Sequence, residues 1–285
     1  MTLLWSGLAL GAVYALVAIG YNIVFVSSNT FNFAQAQLMM VGTFVAYTGL
    51  VTFHWPVWVV AIVATAVVAG IAAAEEMIAV WPVKSHQNQL VTTLGVATLL
   101  GGASQLIWGA EPLTVPFFGS NQPVTLLGGR TYPVEIALLV LAVALVIVLS
   151  LVSKRTMTGL ALMGISEDRE AAQLRGVNVR RLALGAFAFS GALAGLLGLF
   201  VGPKTFAVAT LGTALAIKGF VALAIGGFGS LPGALVGGLA VGLIESFSAL
   251  HLGSEYSNIA VFVVLIVILL ARPAGLFGRV RERVV

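Results

Sequence analysis

Nine long apolar runs, each with at most two charged residues, divide this chain at roughly 3–26, 33–53, 57–80, 90–109, 133–152, 182–202, 211–228, 232–250 and 257–271. Most are apolar all round rather than on one stripe, the pattern of helices surrounded by lipid or by one another. About 20 residues of helix cross a hydrocarbon core, so the pattern predicts an all-α, polytopic membrane protein with eight or nine transmembrane helices. The seventh and eighth runs are rich in glycine and are joined by Gly226-Gly227-Phe228-Gly229-Ser230-Leu231-Pro232-Gly233. They read either as two spans or as one crossing plus a re-entrant piece, because broken helices persist in membranes where they line a cavity. The first run lacks a basic segment before it and is long enough to stay as a span.

One stretch breaks the pattern. Residues 153–181, SKRTMTGLALMGISEDREAAQLRGVNVRR, carry nine of the 24 charged residues. Within it, Ser166 is a candidate helix N-cap, with Glu167 and Asp168 in the first turn where the helix dipole favours negative charge, and Gly176 supplies a stop. The predicted helix, about eight residues and ~12 Å long, is too short to stand alone in water and needs something to pack against. Ala171 and Ala172 would let a partner approach closely. The plainer reading is a solvated loop whose charges serve only topology.

Composition agrees with the pattern. Hydrophobic residues make up 60% of the chain and charged residues 8%, against about a quarter charged in soluble domains. The 33 glycines suit helix backbones that approach closely in lipid. The absence of cysteine excludes disulfides, metal-thiolate sites and thiol nucleophiles. His54, His86 and His251 show no metal-ligand spacing. The +4 net charge is spread over loops, so it reads as topology rather than as a nucleic-acid face. Six of the fourteen Lys and Arg lie in 153–181; Arg272, Arg279, Arg281 and Arg283 lie in the tail, and Lys84 lies between the third and fourth runs. The positive-inside rule puts these three regions in the cytoplasm. The links around Arg130 and Lys204 then fall outside. Nine crossings require an external N-terminus and a cytoplasmic C-terminus. The chain reads as one polytopic transmembrane domain over 1–285, with a cytoplasmic loop at 153–181 and a tail at 272–285.

Polar residues at lipid depth are candidates for a path, because they are costly unless they face a cavity or a partner. Asn22, Asn32, Gln35 and Gln37 bracket the turn between the first two runs, and Asn32 and Gln35 would share a face if the second helix began there. Path lining and capping of two helix ends both fit. Glu75 and Glu76 fall near a span end, where a salt bridge to Lys84 or to the insertion is the expected use. Lys218 lies deeper, and Glu245 near the outer end of the eighth run; each could snorkel to an interface, or the two could pair. The glycines Gly226, Gly227, Gly229 and Gly233, with Pro232, suit helix packing or a gate; they lack the Gly-Lys-Ser/Thr ending of a phosphate-binding loop.

Several strings, taken in order, resemble the permease subunits of branched-chain amino acid ABC importers. They are Asn32-Phe33-Ala34-Gln35, Trp81-Pro82-Val83-Lys84, Thr93-Leu94-Gly95, Trp108-Gly109, Arg155-Thr156 with Gly159, and Glu167-Asp168-Arg169-Glu170-Ala171-Ala172 with Gly176-Val177-Asn178-Val179. The run Gly226 to Ala234 followed by Gly237, Gly238 and Glu245, and the terminal Arg272-Pro273-Ala274-Gly275-Leu276-Phe277-Gly278, complete the set. The resemblance implies that residues 167–172 belong to a coupling helix that docks on an ATPase, in a bacterial inner membrane. It further implies a second, related permease subunit, two cytoplasmic ATPase subunits that hold the ATP and Mg, an extracytoplasmic substrate-binding protein, and no cofactor on this chain. The chain departs from the family at Met163-Gly164, where Arg-Ala is usual, at Trp81, where arginine is common, and at Ala36-Gln37. The first two bear on the ATPase contact and the last on substrate. A stand-alone secondary transporter would call for paired acids or a cation site at mid-membrane and often an internal repeat. A membrane enzyme would call for clustered His, Asp or Glu. Relatives of the family also carry urea, short amides or aromatic acids, and the residues do not choose among these substrates.

Overall fold

In a computed structural model, described for residues 1–278 apart from Lys84, Asn121 and Leu127, the chain is almost wholly helical. The helices are α1 (Thr2–Ser28), α2 (Gln35–Tyr47), α3 (Val57–Glu75), α4 (His86–Trp108), α5 (Pro133–Arg155), α6 (Met157–Glu167), α7 (Arg169–Leu174), α8 (Val179–Thr205), α9 (Leu211–Gly226), α10 (Leu231–His251) and α11 (Ser257–Ala271). Wider π-helical turns extend α2 over Thr48–Thr52 and α3 over Glu76–Val80. A small hairpin, β1 (Val124–Leu126) antiparallel to β2 (Gly129–Thr131), precedes α5. Lys84, Arg279, Arg281 and Arg283, used above for orientation, lie outside the described residues.

Each of the nine apolar runs contains a helix, and the seventh and eighth are two separate helices. Among the described residues, six helical stretches are long and apolar enough to cross a membrane: Thr2–Ser28, Val57–Val80, His86–Trp108, Pro133–Arg155, Val179–Thr205 and Leu231–His251. Leu211–Gly226 and Ser257–Ala271 are shorter; at 1.5 Å per residue, 16 residues reach only about 24 Å of a ~30 Å core. The second run is likewise divided between α2 and its π turn.

Helix α1 is the hub, packed chiefly against α10 and also against α8, α9 and α5. The approach to α10 is backbone to backbone: a side chain on Gly238 would strike Ala15, and one on Gly242 would strike Gly11. The same device joins α8 to its neighbours, with Gly191 and Gly195 against α3 and Gly198 against Gly42 of α2. Small residues let van der Waals contact replace the hydrophobic drive that is missing in lipid. The periphery is apolar and open, as at Leu99 and Leu106 of α4, Val140 of α5 and Leu270 of α11. At the end where α1 starts, Lys204 of α8 pairs with Glu135 of α5, and Glu135 also accepts the Tyr132 N–H at 3.1 Å, closing the first turn of α5.

Candidate functional site

The insertion is more helical than its sequence suggests. Residues 157–167 form α6, started by Thr156, whose hydroxyl accepts the Gly159 N–H at 3.0 Å. Ser166 is not the cap of the next helix: it sits in the last turn of α6, and its hydroxyl donates to the Met163 carbonyl at 2.7 Å. The cap is Asp168, whose extended backbone breaks the helix and whose carboxylate accepts the Glu170 and Ala171 N–H groups, both at 3.0 Å. A carboxylate at that position also meets the positive end of the helix dipole. Helix α7 therefore has six residues rather than about eight, and Glu167 ends α6 instead of opening α7. Gly176, at φ 84°, follows as the stop. Ala172 does not face outward; it packs with Ile165 and Val179 in a small apolar cluster. The outward side carries Glu170, Gln173 and Leu174, the last 89% exposed. Met163 is exposed on α6 and Gly164 has open space around it. Arg169 turns the other way, into a cleft of about 250 Å³ shared with Glu76, Trp81, His86 and Gln89.

Around the α1–α2 turn, side chains from four elements interlock. Asn32 lies before α2, not on it, so it shares no helix face with Gln35. Its amide donates to Glu75 at 3.0 Å while its oxygen accepts the Ala34 N–H at 2.8 Å. Thr30 donates to Gln89 at 2.6 Å, and Gln89 donates to the Val80 and Val83 carbonyls. Glu75 is buried and bonded to Asn32, and its second oxygen has no partner among the described residues; Lys84, one of its expected partners, lies outside them. Glu76 lies in the field of Arg180 at the end of the insertion, and Arg180 covers the Trp81 ring at 4.6 Å. Gln35 reaches the Ser190 carbonyl of α8 at 3.4 Å, whereas Gln37 donates to Thr213 of α9 at 3.2 Å. Two positions apart on a helix, they point to different neighbours and do not meet. Each keeps a buried oxygen without a partner.

The glycine-rich turn between α9 and α10 is built from two of the sequence strings at once. The Leu276 and Phe277 N–H groups donate to the Ile225 and Gly226 carbonyls at 2.8 and 2.9 Å, so the 272–278 segment caps the end of α9. Gly227 and Gly275 pass with no room for a side chain on either, and both have positive φ. From α1, Asn22 accepts the Gly229 N–H at 2.8 Å and donates to the Ser230 carbonyl at 2.9 Å. Ser230 then caps α10 through the Gly233 N–H at 3.1 Å, with Pro232 in the first turn. Phe228 projects from this turn into a cluster with Phe25, Phe31 and Phe220; Phe31 and Phe228 lie 5.1 Å apart.

The family described as branched-chain amino acid transport system, permease component, matches residues 3–269. The chain belongs to this permease family. It is 27% identical over 292 residues to the high-affinity branched-chain amino acid transport system permease protein LivH of Escherichia coli K12, covering 97% of this chain and 94% of that one. With the corresponding BraD protein of Pseudomonas aeruginosa it is 28% identical, covering 96% and 94%. With a probable LivH protein of Methanocaldococcus jannaschii it is 27% identical, covering 92% and 88%. No solved structure matches.

In this permease Lys218 and Glu245 do meet, as an ion pair at 2.8 Å between α9 and α10. Tyr14 of α1 donates to the other oxygen of Glu245 at 2.7 Å. Sequence reasoning missed Tyr14, the Asn22 clamp, the phenyl cluster and the role of Gln89. Asn22 and Gln89 carried a usable signal, an amide in or beside an apolar run. Tyr14 and the phenylalanines carried none, since aromatic residues inside apolar helices are unremarkable until a partner is seen.

Proposed function

We propose that this permease is the transmembrane subunit of an ATP-driven importer and forms, with a second related permease, the path for branched-chain or other hydrophobic amino acids. The observation that carries the reading is α7. It is a six-residue helix held from behind by the Ile165, Ala172 and Val179 cluster, capped by its own Asp168, and presenting a bare Leu174 between charged residues. A helix of six residues does not hold its shape alone in water, and this one lies in the Glu167–Ala172 string that resembles the family's coupling helix; its place there, with Leu174 on the outward side, supports packing by another protein. The cytoplasmic face is then the α6–α7 end, the N-terminus is external, and nine helices cross or dip into a bacterial inner membrane. ATP and Mg are held by two ATPase subunits, and substrate arrives from an extracytoplasmic binding protein. Closure of the ATPases would move α7, and Arg169 and Arg180 connect α7 and the start of α8 to the Glu76–Trp81 end of α3. From there Gln89 and Asn32 lead to the α1–α2 turn. Membership of a family whose named relatives include LivH and BraD supports amino acids over urea, short amides or aromatic acids.

The test is reconstitution of the chain with its co-expressed permease, ATPases and binding protein in proteoliposomes. ATP-dependent accumulation of radiolabelled leucine, isoleucine or valine is expected. Accumulation without ATP would instead identify a secondary transporter.

A further inference from the structure

The Lys218, Glu245 and Tyr14 cluster is the one place among the described residues where opposite full charges meet well away from the helix ends. Lys218 stands mid-way along α9, and Tyr14 mid-way along α1. Lys218 is 9% exposed, and the Glu245 side chain retains 19% exposure. A carboxylate at that depth does not face hydrocarbon, so the open side of Glu245 faces water or another protein surface. The ammonium engages one Glu245 oxygen at 2.8 Å; of its three N–H groups, the other two have no partner among the described residues. Tyr14 holds the far oxygen of Glu245 by its hydroxyl, and its ring lies 5.8 Å from the Lys218 nitrogen, within cation–π reach. The tyrosine thus stabilises both charges if they separate.

We propose that this ion pair is a binding site for the head group of a zwitterionic α-amino acid. An α-amino acid carries one carboxylate and one ammonium a few atoms apart. Laid antiparallel across the pair, its carboxylate meets Lys218 and its ammonium meets Glu245, so one ion pair becomes two and the net charge stays zero. An acid without the amine, or an amine without the acid, leaves one buried charge unpaired, which is a strong ground for rejection. The hydrophobic side chain then lies against the apolar walls that α1, α9 and α10 provide.

This site rests on the amino-acid reading above, and the experiment separates the two. In the full reconstituted complex, the absence of leucine uptake by the unaltered chain would defeat the amino-acid reading itself. With uptake established, Lys218→Met/Glu245→Gln removes both charges at similar size, a change that buried ion pairs tolerate in stability. Uptake is expected to fall at least about tenfold, the factor carried by one lost charge-assisted hydrogen bond, while the complex still assembles and hydrolyses ATP. Glu245→Gln alone, which keeps the Lys218 charge and a side-chain oxygen for Tyr14, should likewise lower uptake. Uptake within twofold of the unaltered chain in either variant would overturn the site and leave a purely structural ion pair. If neither variant assembles, Tyr14→Phe decides: a raised KM for leucine supports the site, and an unchanged KM overturns it.

Discussion

Charge is handled in opposite ways in the α6–α7 insertion and in the Lys218 cluster. In the insertion, Glu167, Asp168 and Glu170 are exposed, and the groups that order them are two or three residues away in the chain: Asp168 holds Glu170 and Ala171. In the cluster, α9 supplies Lys218, α10 supplies Glu245, and Tyr14 comes from 231 residues away. Water screens the first set, so its charges tune contacts and contribute little to the fold. The second set sits among apolar helices, where an unpaired charge is severely penalised. The same residue types are therefore ordered by near neighbours and water in one region, and in the other depend on partners brought from distant helices.

That contrast can be broken most forcefully at Lys218. Lys218→Ala leaves Glu245 buried with only Tyr14, and a loss of about 3–5 kcal/mol is expected, read as a large fall in thermal stability of the detergent-solubilised protein. A smaller fall than that of the double neutral variant would show that the pair is not buried as described. Asn22→Ala comes next. It removes both bonds to the 229–230 turn and orphans the Gly229 N–H, for an expected loss of about 1–3 kcal/mol, together with faster amide exchange across residues 226–234. Smallest is Asp168→Ala, which should lose about 1 kcal/mol of local helix stability and speed exchange in 169–175 without changing global stability. Ser166→Ala should stay within about 0.5 kcal/mol. A larger loss for Ser166→Ala than for Asp168→Ala would return the cap to Ser166.

The legibility of the molecule divides along the same line. Whatever depends on neighbours in sequence could be read: nine apolar runs, the stop at Gly176, and the polarity of the insertion. The cap of α7 was misplaced by two residues because Ser166 and Asp168 are both good caps, and only the extended backbone at Asp168 chooses between them. Residues 157–167 do not read as a helix because Gly159, Gly164 and Thr158 argue against one; what sustains it is Thr156 at its start and the packing of Ile165 against Ala172 and Val179. The meeting of Lys218 with Glu245, and of the two glycine-bearing strings at Gly227 and Gly275, depends on how α1, α9 and α10 cross. Apolar periodicity gives each helix but not the crossing, which the glycine contacts determine.

Helix α7 is the proposed place where a separate ATPase engages. Since the chain has no cysteine, Leu174→Cys places a single thiol at the exposed tip of that helix. In membranes containing the co-expressed subunits, a short thiol-to-amine crosslinker should join this position to an ATP-hydrolysing chain. Adding Asp168→Ala, which loosens α7, should lower the yield of the adduct several-fold. A thiol that stays freely reactive and uncrosslinked in a complex that is importing substrate would contradict the account.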